Sequence, residues 1–151
     1  MKLLHVALVL CLVGASWGCA KKSHDHAAHA EHEHRAPHGG ILVELGDHAY
    51  TVELVRDDTA GRLTAYVLDA HAENFIRIKA PSIELIAMPG GTLTRVSLQP
   101  VANPATGETV GDTSQFAAPA EWLKSAGEFA GIFTVDIRGT KFEQVEYTLS
   151  K

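Results

Sequence analysis

Tyr50-Thr51-Val52-Glu53-Leu54-Val55 and, after a turn, Arg62-Leu63-Thr64-Ala65-Tyr66-Val67-Leu68-Asp69 are the stretches whose reading decides the fold. In the first, Tyr50, Val52 and Leu54 alternate with Thr51, Glu53 and Val55, the two-residue period of a half-buried strand. In the second, Leu63, Ala65 and Val67 alternate with Thr64, Tyr66 and Leu68. Between them, Asp57-Asp58-Thr59-Ala60-Gly61 is turn chemistry: aspartate side chains bond nearby amides and glycine accepts positive φ. Upstream, Ile41, Val43 and Leu45 share a face, and Gly46-Asp47-His48 reads as a turn. Residues 41–69 therefore predict an antiparallel meander of three strands.

Working toward the C-terminus, further strands are predicted at 75–79, 82–88, 92–101 and 114–117. Residues 102–112 read as an exposed loop, and 119–127 as one short helix with Pro near its start and Gly past its end. Residues 131–138 and 141–150 predict a closing hairpin about Gly139-Thr140, with a bulge where alternation slips between Phe142 and Val145. Seven or eight short strands with one short helix predict an all-β fold, an antiparallel, immunoglobulin-like β-sandwich over 39–151. A small barrel is the alternative. Trp122 reads as a core plug, and Glu84, alone on an apolar strand, as solvent-facing.

Toward the N-terminus the composition changes at Gly39. Residues 19–38 (CAKKSHDHAAHAEHEHRAPH) have no large apolar side chain, so they cannot offset their ordering entropy and are expected to form a disordered tether. Before them, Leu3 to Trp17 is a 15-residue apolar run behind Lys2. That run is shorter than the roughly 20 residues a spanning helix needs. Residues 1–18 therefore read as a secretory signal peptide, removed on export. Taking them from the 151-residue chain leaves 133, enough for one domain with a real core. The net charge of −5 and the lack of a basic stripe argue against a nucleic-acid surface.

Ser16-Trp17-Gly18-Cys19-Ala20 resembles the lipobox of bacterial lipoproteins, in which cleavage falls before the cysteine and its thiol receives a diacylglycerol. Gly18 fits that pattern; Ser16 and Trp17 depart from it, where leucine and a small residue are usual. Ordinary cleavage after Ala20, with Gly18 and Ala20 as the small-x-small pair, is the other reading. The resemblance implies that Cys19 is a lipidated anchor and, because Ala20 rather than Asp follows it, that the outer membrane is the destination in a two-membrane cell. Cys11 lies within the signal, so an acylated Cys19 leaves no thiol for a disulfide or a cysteine–zinc site.

The chemistry is concentrated in histidine. Six of the nine histidines fall at His24, His26, His29, His32, His34 and His38, with Asp25, Glu31 and Glu33 among them. A flexible chain can gather several such imidazoles around one zinc, copper(II) or nickel(II) ion. Met88, the one methionine beyond the signal, argues against a dedicated copper(I) site. His48 and His71, with Asp47 and Asp69, are expected at one end of the meander, either as a second metal site or as unrelated turn residues. His38 is expected at the opposite end, about 20–25 Å away at ~3.3 Å per residue. No nucleophile elbow, HExxH motif or paired carboxylates occur, so no enzyme is expected.

Residues 37–48 (PHGGILVELGDH) and 64–69 (TAYVLD) look like a module of small exported envelope proteins. They are also similar to the histidine-bearing N-terminal regions of periplasmic adaptor subunits of heavy-metal efflux pumps. That resemblance implies a metal-linked envelope role for His38 and His48. It covers under a quarter of the chain, which lacks the adaptors' long coiled-coil hairpin and is far shorter. The expectation is a lipid-anchored envelope protein whose tether binds divalent transition metal, for buffering or for delivery to an efflux component. An envelope structural or interaction module with the tether as spacer is the alternative.

Overall fold

The structure, a computed structural model, describes residues 34–151. The proposed signal, Cys19, His24, His26, His29 and His32 lie outside the described residues. Among the described residues eight strands follow one another: β1 Ile41–Leu45, β2 Tyr50–Asp57, β3 Arg62–Asp69, β4 Ile83–Ala87, β5 Thr94–Pro100, β6 Gln115–Pro119, β7 Phe129–Ile137 and β8 Thr140–Leu149. All pairings are antiparallel, in the order β1-β2-β3-β6-β5-β4-β7-β8. The all-β antiparallel architecture read from the alternation is the one observed.

The sheet is a single one, nearly closed. β5 is the reason: Thr94–Leu98 pair with β4, while Gln99 and Pro100 pair with Ala117 and Phe116 of β6. One strand thus joins two halves that would otherwise be separate layers. Val52, Leu54, Leu63, Ala65 and Val67 from the first half share one buried core with Ile83, Leu85, Leu98, Phe133 and Val135 from the second. At the open seam β1 approaches β8, and Tyr50 at the start of β2 lies edge-on to Phe142 of β8 at 6.2 Å between ring centres.

Local chemistry accounts for the connections. Asp57 Oδ1 accepts from Thr59 N (3.0 Å) and Ala60 N (2.8 Å), closing the β2–β3 turn. The β7–β8 hairpin turns on Arg138 and Gly139, both at positive φ, as a twisted two-residue hairpin requires. The expected bulge is present: the register shifts where Phe133 faces Val145 but Val135 faces Phe142, with Gln144 at φ 53°.

Two predicted elements differ. The segment 119–127 is strand to Pro119 and then a single 3-10 turn, Glu121–Lys124, not an α-helix. Gly61 O accepts from Ala120 N (2.7 Å), extending the β3–β6 pairing just where a helix would start. Trp122 still packs on the core, 4.9 Å from Phe129. The segment 75–79 makes only isolated bridges, Phe75 to Leu68 and Ile78 to Thr113, because β6 takes the rest of the β3 edge. Glu84 is exposed, as read.

Candidate functional site

The site begins where the chain enters the sheet ahead of β1. Val52 and Leu54 point into the core, so their neighbour Glu53 lies on the outer face, opposite Tyr66 of β3. An uncovered Glu53 would be wet, yet it is 0% exposed. Pro37-His38-Gly39-Gly40 covers it. Gly39 takes φ 74° and its amide donates to Ala36 O (3.2 Å), reversing the chain. Gly40 passes so close to β2 that a Cβ there would strike the Leu54 carbonyl.

Burying a carboxylate costs several kcal/mol unless its lone pairs are matched. Here three donors match them. Oε1 accepts from His38 N (2.7 Å) and Gly40 N (3.0 Å), and Oε2 lies 2.8 Å from His38 Nδ1. The imidazole stacks on Tyr66, 3.7 Å between centres and 8° from parallel, and tilts against Phe75 at 5.6 Å. Burial pushes the Tyr66 phenol pKa up, the adjacent Glu53 charge pushes it further, and Arg62 partly offsets both.

An ionised carboxylate only accepts, so Nδ1 of His38 donates, and a neutral ring keeps its lone pair on Nε2. Nε2 makes no hydrogen bond among the described residues, and the side chain is 36% exposed. A carboxylate that fixes the tautomer of an imidazole and raises its basicity is the outer partner that metal-binding histidines use.

His38, Tyr66 and Phe75 also line a cleft of about 370 Å³ whose far side is Arg77, Glu108 and Ser114. Glu108 belongs to the segment read as an exposed loop, yet it is 6% exposed. Its Oε1 accepts from Ser114 N (3.1 Å) and Oγ (2.7 Å), and its Oε2 from Thr106 Oγ1 (3.1 Å). Arg77 lies across the loop, donating to the Thr106 and Gly107 carbonyls. The loop is thus folded around one carboxylate.

The remaining predicted residues fall into place as follows. His38 is not at the far end of the meander: the Gly39-Gly40 reversal carries it back to Tyr66, three residues before the end of β3. His34 lies beside His71, with ring centres 5.5 Å apart. Asp69 serves its own turn, accepting from Glu73 N (2.9 Å) and Asn74 Nδ2 (2.6 Å). The Asn74 amide, with backbone amides of the turn, holds its pKa below the usual carboxylate range. His48 sits at φ 52° in the β1–β2 turn, Nδ1 3.6 Å from exposed Glu44, with Asp47 exposed beside it. Among the described residues no three His, Cys, Asp or Glu side chains converge on one point.

Sequence reasoning missed Glu53 and Glu108. The only signal for Glu53 was a carboxylate in mid-strand, which reads equally well as a solvent-facing residue. Comparison with protein-family models, with curated proteins and with solved structures found no match to this chain.

Proposed function

We propose that this chain is an exported cell-envelope lipoprotein, anchored through Cys19, that binds divalent transition metal through the histidines of its tether. Zinc, copper(II) and nickel(II) suit an imidazole-rich set without thiolate. The observation that carries the reading is the His38–Glu53 pair: 2.8 Å from Nδ1 to a fully buried carboxylate, with Nε2 left for an outside ligand. His24, His26, His29, His32 and His34 precede it on the same arm. An arm of this kind binds in several ways and releases readily, since ordering it costs entropy. That suits buffering, or delivery to a metal-efflux component, better than catalysis.

The second reading is an envelope structural or interaction module with the tether as spacer. It draws on the same pair, because three hydrogen bonds and the Tyr66 stack fix the arm to the sheet without any metal. Calorimetric titration separates the two. Zinc and copper(II) are added to the chain from Ala20 onward, and to a variant with His24, His26, His29, His32 and His34 changed to Ala. The metal reading expects loss of most bound metal in the variant. Equal, weak binding by both forms overturns it. The anchor is tested separately: Cys19→Ala is expected to release the protein from membranes, and unchanged retention argues against lipidation.

A further inference from the structure

The latch at His38 has a consequence four residues upstream. Because His38 is pinned to Glu53 and Tyr66, the chain before it is held against the outer face of the β2–β3 pair, and His34 reaches the turn that follows β3. There it meets His71 at 5.5 Å between ring centres, with planes inclined at 49°. Parallel stacking, as seen between His38 and Tyr66, is closer and flat; the His34–His71 pair is neither.

The spacing is close to that of the tilted His38–Phe75 pair (5.6 Å) and also fits two imidazoles sharing an ion. With metal–nitrogen bonds of about 2.0–2.1 Å, ring centres about 1.2 Å beyond the nitrogens and a tetrahedral angle, two ligating rings sit about 5.2 Å apart. His71 is also well supported. Its turn is tied by Asp69 to Glu73 N and Asn74 Nδ2, by Ala72 N to Asp69 O (3.1 Å), and by Thr51 Oγ1 to Ala70 O (3.3 Å). A ligand on a rigid turn loses little entropy on binding, unlike one on a free arm. His71 is exposed and His34 half-buried, so the pair is open to an incoming ion.

We infer that His34 and His71 together form a two-imidazole site for a divalent transition-metal ion, joining the tether to the domain. The inference rests on the metal reading above but adds a ligand from the folded part, outside the histidine-rich run. It makes the domain a participant in binding rather than a passive support, and it means that bound metal holds the tether against the sheet.

The test uses the chain from Ala20 onward with His24, His26, His29 and His32 changed to Ala, titrated with zinc. Calorimetry gives affinity, and imidazole nitrogen shifts identify the ligating rings. His71→Ala, on an exposed turn, and His34→Ala should each weaken zinc binding at least tenfold. The double variant should be no weaker than either single one, because both rings serve one ion. Shifts of the His34 and His71 nitrogens together on adding zinc would support the pair. Unchanged affinity in His71→Ala overturns the inference while leaving the tether reading standing. If the chain with all its histidines binds no zinc at all, both fall.

Discussion

Glu53→Gln changes the chemistry of the latch while keeping its length and volume. The amide oxygen can still accept from His38 N and Gly40 N, which lie 2.7 and 3.0 Å from Oε1 in the native protein. The amide nitrogen replaces the oxygen that faces His38 Nδ1 at 2.8 Å, and it is a donor. The ring must then present a lone pair at Nδ1 and carry its proton on Nε2. Two energies compete in the stability of this variant. Hydrogen bonds to a charge are worth about 1 kcal/mol more than neutral ones, but a neutral amide escapes the several kcal/mol spent burying a carboxylate. The net expected loss is only about 1–2 kcal/mol. Glu53→Ala, which leaves the two amides and the ring without their partner, is expected to cost about 3–5 kcal/mol. Under the proposed metal reading the affinity responds differently, because Nε2 is now protonated: zinc binding through His38 should fall about 10–100-fold in Glu53→Gln. Long-range proton–nitrogen spectra of the imidazole report the tautomer directly, and urea unfolding reports the stability. An unchanged tautomer at His38 with unchanged zinc affinity would refute the reasoning.

Two further substitutions probe the core and the sheet edge. Tyr147 is 5% exposed and its hydroxyl has no partner among the described residues, so Tyr147→Phe should stabilise the fold by about 1–2 kcal/mol in urea unfolding. Burial pushes the Tyr147 phenol up to about 12, so the native state keeps its proton where the unfolded chain, near pH 10, loses it. Stability is therefore full below about pH 10 and declines as pH rises toward 12; Tyr147→Phe should shrink that alkaline loss, leaving the part due to Tyr66. Arg56 donates to Asp58 Oδ1 (2.7 Å) and to the carbonyls of Gly127 (3.0 Å), Ser150 (3.2 Å) and Ala126 (3.1 Å), joining β2 to the chain after the 3-10 turn. Lysine cannot span that fork, so Arg56→Lys should lower stability by roughly 2–4 kcal/mol, and a loss below 1 kcal/mol would contradict the assignment.

How much of this was legible in the sequence depends on the range of the interactions. β2, β3, β7 and β8 announced themselves because their alternation is local and one face is buried against a common core. The bulge near Gln144 was visible for the same reason: a slip in a two-residue period is itself a local signal. The joining of two layers by β5 was not, since Thr94–Leu98 and Gln99–Pro100 look alike in sequence and differ only in which strand lies beside them. The 3-10 turn at Glu121–Lys124 was read as a helix because its proline and glycine punctuation is the same. For the site, the histidine run and His38 were plain in the sequence. The latch was not: Glu53 is fifteen residues from His38, and only a chain reversal at two glycines brings them together. Likewise, nothing local connects His34 to His71, whose rings come together only in the fold.

The proposal that the tether's imidazoles bind divalent metal is tested most directly by X-ray absorption at the zinc edge, on the zinc-loaded chain from Ala20 onward. The account predicts a first shell of nitrogen and oxygen at about 2.0–2.1 Å, with no sulfur and with the outer-shell scattering of at least two imidazoles. Zinc that keeps a shell of water oxygens alone, or that washes off without imidazole scattering, would contradict it.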